Sequence, residues 1–184
     1  MNLELLQTLG KVKNYKKGEL VCIEKEEGHT AYLLLEGQVS ILLRSFQDQP
    51  KAVATLDPGA IFGEMSLLEN KPRNASVMAQ SENVMVLEIA KQNFLQILKS
   101  DKNIAYNLLC TLQSRMDKEL DDMYRGQIAY VVEIRRDTLY NQIKKLSCEQ
   151  FAAIIEKDAD HAMRLLKFLS HSLAEINKKN ANEK

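Results

Sequence analysis

The 184-residue chain predicts an α+β fold, with antiparallel strands first and helices after. Three observations lead there. Six of the seven glycines (Gly10, Gly18, Gly28, Gly37, Gly59, Gly63) and all three prolines (Pro50, Pro58, Pro72) fall before residue 75. They punctuate short apolar runs at spacings of about ten residues, the pattern of several short strands in a sandwich or barrel. From Lys91 onward the apolar residues recur every three or four positions, the period of an amphipathic helix. A hydrophobic fraction of 45% with 27% charged residues belongs to a chain that folds around a core, not to a disordered, collagen-like or low-complexity one.

The predicted strands are Glu19 to Ile23, Ala31 to Leu35, Val39 to Leu43, Lys51 to Leu56, Ala75 to Ala79 and Val84 to Ile89, rich in Val, Ile, Leu and Thr. Gly37, inside LLLEGQVSILL, supplies the positive φ that a tight hairpin requires. Phe94, Ile97 and Leu98 begin the helical part, and Asp101 caps a second helix that carries Ala105, Leu108, Leu109, Leu112, Met116, Leu120 and Met123. The stripe from Leu109 to Met123 packs either on the strands or against a second copy of the chain. Gly126 ends this helix, and Gln127 to Leu146 reads as further helix with a polar face.

The tail repeats an earlier pattern. At an offset of 57, Phe94, Ile97, Leu98, Asp101, Ala105, Leu108, Leu109 and Leu112 correspond to Phe151, Ile154, Ile155, Asp158, Ala162, Leu165, Leu166 and Leu169. Either a helix pair is duplicated or two apolar stripes coincide.

Charge and cysteine content narrow the function classes. With 25 Lys+Arg against 25 Asp+Glu there is no net charge to attract a long polyanion or an anionic membrane, so any basic site is local. Cys22, Cys110 and Cys148 lie too far apart in sequence for a CxxC or Cys/His metal motif and read as reduced, mostly buried thiols. His29, His161 and His171 are scattered and read as surface residues. No nucleophile motif suggests an enzyme: no catalytic residues, metal or cofactor are expected. The start, MNLELLQTLG, lacks the features of a signal peptide, and no run approaches a membrane span, so a cytoplasmic location without membrane partners is expected.

The most informative segment is Ile61 to Val77, IFGEMSLLENKPRNASV. A strand ends at Gly63, a short helical turn (Met65, Ser66, Leu67, Leu68) follows Glu64, and a loop through Pro72 delivers Arg73 into another strand. Each piece suits an anionic sugar phosphate. Glycine lets the backbone approach closely, and the start of a helical turn offers N–H groups to a phosphate. An arginine can form charge-assisted hydrogen bonds with phosphate oxygens, while a glutamate can accept from a sugar hydroxyl.

These residues resemble the cyclic nucleotide-binding domain shared by protein kinase A regulatory subunits, cyclic-nucleotide-gated channels and the bacterial catabolite activator. That family's phosphate-binding cassette reads F-G-E-(L/M)-(A/S)-L and, five to six residues later, R-x-A-(T/S)-V; here stand Phe62, Gly63, Glu64, Met65, Ser66, Leu67 and then Arg73, Asn74, Ala75, Ser76, Val77. The resemblance covers roughly residues 5 to 125. It implies a jelly-roll-like antiparallel β-roll with a flanking N-terminal helix and C-terminal helices in residues 1–126, followed by an all-α extension over 127–184. It implies that Glu64 holds the ribose 2′-hydroxyl and that Arg73 pairs with the cyclic phosphate, with backbone N–H groups near Ser66 and Ala75 completing the phosphate nest. Gly63, Met65 and Asn74 complete the binding set. Asn74 stands where cAMP-selective members often carry Ala and cGMP-selective members Thr, so this position does not choose between the two ligands. A base cap is expected from the long helix at Arg115 or Glu119.

Three functions follow as expectations. The first is a cAMP sensor, with cGMP second, whose helices pass the signal to a homodimer partner or an effector protein. The second is a ligand-independent dimerisation module in which Glu64 and Arg73 merely pair with each other. The third is a catabolite-activator-like transcription factor reading DNA with Arg135 to Leu146. That last segment lacks a preceding helix and turn, and residues 127–184 carry ten Lys+Arg against eight Asp+Glu, so no nucleic-acid partner is expected.

Overall fold

The structure is a computed structural model and describes residues 10–44, 50–123, 134, 135 and 137–182. The chain packs into two compact units, Met1–Gln96 and Ile97–Lys184. The expected N-terminal helix, Gly126 and the boundary at 126 lie outside the described residues.

The first unit is a pair of four-stranded antiparallel sheets. One has the order β1 (Lys11–Lys16), β8 (Asn83–Ala90), β3 (Thr30–Glu36), β6 (Ile61–Phe62). The other runs β2 (Leu20–Cys22), β7 (Ser76–Ala79), β4 (Val39–Arg44), β5 (Pro50–Leu56). Tyr32, Leu34, Val39, Phe62, Val77, Ala79, Val84 and Val86 fill the space between them. Alternation explains this set, because Tyr32 and Leu34 on β3 and Val84 and Val86 on β8 are two apart and share a face. The fold is therefore α+β with antiparallel sheets.

Two local expectations change. Gly37 does adopt positive φ, +78°, and a Cβ there would lie 2.3 Å from the Asn83 carbonyl oxygen. However, β3 pairs with β8 and β6 while β4 pairs with β5 and β7. The turn therefore carries the chain from one sheet to the other and does not close a hairpin. The strand β1 was absent from the sequence reading because its sequence, KVKNYK, has no alternation. It is an edge strand on β8, with Val12 and Tyr15 half-buried and lysines at three of its six positions. Lysine on an edge also discourages pairing with another chain.

After β8 come helices α2 (Lys91–Ser100) and α3 (Lys102–Met123), preceded in the cassette by α1 (Glu64–Glu69). Asp101 is the expected cap: its Oδ1 accepts from the backbone N–H of Asn103 at 2.9 Å and of Ile104 at 3.0 Å. The second unit continues with α4 (Thr138–Lys144), α5 (Cys148–Lys157) and α6 (Ala159–Asn182). Asp137 caps α4 through the Tyr140 N–H, and Ser147 with Gln150 forms a capping box on α5. Leu108, Leu109, Leu112, Met116 and Leu120 of α3 are buried, as are Phe151, Ile155, Leu165, Leu166, Leu169 and Leu173 of the tail. The tail is a packed helical body. Among the described residues, no helix is long and apolar enough to cross a membrane.

The thiols are free, but they are not mostly buried. Cys22 and Cys148 are half-buried and Cys110 is exposed, because it points away from the α3 stripe formed by Leu108, Leu109 and Leu112. All three histidines are exposed.

Candidate functional site

The cassette is built around two left-handed residues. Gly63, at the end of β6, has φ 73°, which turns the chain sharply into the six-residue helix α1. Asn70, with φ 54°, ends that helix and returns its own N–H to the Ser66 carbonyl. Pro72 follows, and Arg73 then docks on the loop after β2: its N–H donates to the Glu26 carbonyl at 2.8 Å and its carbonyl accepts from the Lys25 N–H at 2.9 Å. These backbone bonds fix where the Arg73 side chain begins.

The side chain runs inward and is only 6% exposed. Its Nη1 donates to the Gly63 carbonyl at 2.7 Å and to the Ser66 hydroxyl at 2.8 Å, and its Nη2 donates to the Thr30 hydroxyl at 3.0 Å. The Ser66 hydroxyl donates in turn to the Gly63 carbonyl at 2.9 Å, and the Thr30 hydroxyl to the Tyr32 oxygen at 3.0 Å. The guanidinium carbon sits 5.5 Å from the centroid of the Tyr32 ring, which itself stacks on Phe62 at 5.1 Å. Two glycines make room. A Cβ at Gly63 would be 2.6 Å from Nη1, and one at Gly28 would be 2.3 Å from the Ser66 hydroxyl and 3.0 Å from the guanidinium carbon.

Gly63, Glu64, Ser66 and Arg73 therefore meet at one corner of the β unit, with Glu64 at the first position of α1 and 1% exposed. A carboxylate there is favoured by the helix dipole. Met65 and Asn74 are half-buried and touch, with the Asn74 amide nitrogen 3.9 Å from the Met65 sulfur. Ala75, half-buried, leads into β7. Arg115 and Glu119 are half-buried positions on α3, in the helical unit. The sequence reading missed Thr30 and Tyr32. The i, i+2 spacing on β3 does place them on one face, but nothing in the sequence says that Arg73, 43 positions later, will reach that face.

The electrostatics follow from burial of a cation. The three bonds occupy three of the five N–H donors of an arginine and end on neutral oxygens. Burial pushes the Cys22 thiol and the Tyr32 phenol above their ordinary values, and the Arg73 charge opposes both shifts without overcoming them. A buried charge without a counter-charge costs several kcal/mol unless it is solvated by dipoles or met by an opposite charge. Among the described residues, no group of three His, Cys, Asp or Glu side chains could hold a metal ion.

Comparison with known proteins gives a consistent set of relatives. The family model described as "Cyclic nucleotide-binding domain" matches residues 12–101. The chain is 28% identical over 169 residues to the cyclic AMP receptor protein of Thermus thermophilus, covering 88% of this chain and 76% of that protein. It is 35% identical over 86 residues to the human cGMP-dependent protein kinase 2, covering 46% of this chain but only 11% of the kinase. Among solved structures, a transcriptional regulator from Thermotoga maritima superposes with a TM-score of 0.50 at 28% identity, over 56% of this chain and 81% of the regulator.

Proposed function

Over residues 12–101 this chain belongs to the cyclic nucleotide-binding domain family, and from that premise we propose that it is a cAMP-responsive regulatory module that acts by binding and not by catalysis. One observation carries the reading: a buried arginine that donates to the Gly63 carbonyl and to the Ser66 and Thr30 hydroxyls, in the same corner as a buried glutamate at the head of a short helix. The cyclic phosphate accepts hydrogen bonds from Arg73, and Glu64 accepts from the ribose 2′-hydroxyl. Backbone N–H groups near Ser66 and Ala75 add to the phosphate contacts, and Gly63 keeps the approach open.

The two relatives carry different ligands in their names, cyclic AMP for the Thermus protein and cGMP for the kinase. Asn74 does not choose between them, but the Thermus protein is matched over 88% of this chain and the kinase over 46%, which favours cAMP with cGMP second. A ligand shifts a conformational equilibrium only by its differential affinity for the two states. The signal therefore requires the phosphate to meet Arg73 better in one arrangement of the helices after β8 than in the other. An effector protein receives it.

The test is a pair of titrations on ligand-stripped protein, cAMP against its 2′-deoxy analogue, with wild type and Glu64→Gln. A hydrogen bond to a charged group contributes about 1.5–3 kcal/mol, so the deoxy analogue binds wild type at least tenfold more weakly. It binds Glu64→Gln nearly as well as cAMP does. Equal discrimination by both proteins would remove Glu64 from the ribose.

A further inference from the structure

The helices α5 and α6 reproduce α2 and α3 in more than apolar pattern. Under the offset of 57, the buried positions Ala105, Leu108, Leu109, Leu112 and Met116 of α3 map onto Ala162, Leu165, Leu166, Leu169 and Leu173 of α6, and all five of those are buried too. The caps correspond as well. Asp101 Oδ1 accepts from the Ile104 N–H at 3.0 Å, and Asp158 Oδ1 accepts from the His161 N–H, at the position equivalent to Ile104, at 2.9 Å. A coincidence of two amphipathic stripes does not require the same cap at the same place.

The way the two copies meet is also informative. In a two-fold interface, residue i of one copy meets j of the other while j meets i. Lys99 pairs with Asp160 at 2.8 Å, and Lys102 pairs with Glu156. Asp160 is the counterpart of position 103 and Glu156 the counterpart of position 99. Position 99 of the first copy thus meets position 103 of the second, and position 99 of the second meets position 102 of the first. The contact is reciprocal to within one residue, as between two subunits of a symmetric dimer. Helix α6 packs along α3, and α5 packs against both. Helix α4 adds to the seam, with the Tyr140 hydroxyl and Lys144 both bonded to Asp117 of α3.

We infer that residues 148–182 are an internal duplicate of the α2–α3 helix pair that docks on the original as a dimer partner would, so that α3 is closed by its own chain. The surface that a second copy would need is already consumed: Leu112, Met116 and Leu120 of α3 and Leu169 of α6 are 0% exposed. A stable interface between copies needs roughly 800 Å² from each partner, and the α3 stripe has none left to give. The extension therefore supplies in cis the contact that would otherwise recruit a second molecule, and the chain is a monomer with a built-in pseudo-dimer seam. This stands independently of whether the β unit binds a nucleotide.

The test uses the wild-type full chain. Unlabelled and heavy-nitrogen-labelled protein are mixed in equal amounts, treated with a zero-length carbodiimide reagent, digested and analysed by mass spectrometry. The Lys99–Asp160 and Lys102–Glu156 cross-links are expected between peptides of the same isotope only. Sedimentation equilibrium is expected to give a single-chain mass of 21.0 kDa at every loading concentration. Cross-linked peptides of mixed isotope, absence of both cross-links, or a species of twice the mass would each overturn the inference, the first by showing exchange of the helix pair between molecules.

Discussion

Replacing Arg73 by Met separates a ligand-reading arginine from a structural one. Methionine keeps the length of the side chain and removes the charge. In the ligand-free protein two effects oppose each other: three charge-assisted hydrogen bonds are lost, and the desolvation of a buried guanidinium is relieved. Losing a partner is most harmful when it leaves an acceptor orphaned. Here none is orphaned, because the Gly63 carbonyl keeps the Ser66 hydroxyl and the Thr30 hydroxyl keeps the Tyr32 oxygen. Removing the guanidinium also ends the cost of keeping its charge out of water. Urea unfolding of ligand-free Arg73→Met, followed by circular dichroism, is therefore expected to differ from wild type by less than about 1 kcal/mol in either direction. Binding behaves differently. Two hydrogen bonds from the guanidinium to a phosphate, at about 1.5–3 kcal/mol each, sum to roughly 3–6 kcal/mol, a loss of about a hundredfold to ten-thousandfold in cAMP affinity by calorimetry. A ligand-free variant destabilised by more than about 3 kcal/mol, the penalty of breaking a buried pair, would show that Arg73 is a staple. An affinity within tenfold of wild type would show that the phosphate does not meet it.

Other perturbations address the rest of the site and the helices. Gly63→Ala puts a Cβ 2.6 Å from the Arg73 Nη1 on a residue with φ +73°; a left-handed non-glycine costs about 1–2 kcal/mol, so the urea midpoint falls and ligand affinity falls with it. Asp101→Ala removes the cap on the Asn103 and Ile104 N–H groups and lowers stability by about 1 kcal/mol without changing ligand affinity, whereas Asp101→Asn, which still offers an accepting side-chain oxygen, retains most of the stability. Thiol labelling at pH 8 reads the Cys22 environment, since burial holds that thiol above its ordinary value of 9.0 while Cys110 is exposed; Cys110 reacts first and Cys22 last. The sign of the pH effect follows. Cys22 and Tyr32 both have folded values above their unfolded ones, so the stability they contribute is intact below about pH 9 and is lost as pH rises through the folded values, which alkaline unfolding curves check.

How far the sequence reached depended on how local each feature is. The cassette was legible because its parts are contiguous: Gly63, Glu64, Ser66 and Arg73 sit within eleven positions, and a short helix and one proline are enough to bring them together. The clamp on Arg73 was not legible, since Thr30 and Tyr32 reach it only through the register of β3 with β8 and β6. Gly37 illustrates a different limit. Its positive φ was readable, but whether the strands on either side pair with each other or diverge to opposite sheets depends on partners elsewhere in the chain. The strand β1 escaped because β8 supplies the pairing that its own lysine-rich sequence does not advertise. Asp101 and the apolar stripe of α3 were visible because helix periodicity and capping act within one turn.

Cyclic-nucleotide binding is measured most directly by isothermal titration of ligand-stripped wild-type protein with cAMP, with cGMP and 5′-AMP as comparisons. One cAMP is expected to bind per 21.0 kDa chain, with cGMP weaker and the open 5′-phosphate weaker still. Absence of saturable heat with both cyclic nucleotides would contradict this reading and leave Arg73 as a structural residue held by Gly63, Ser66 and Thr30.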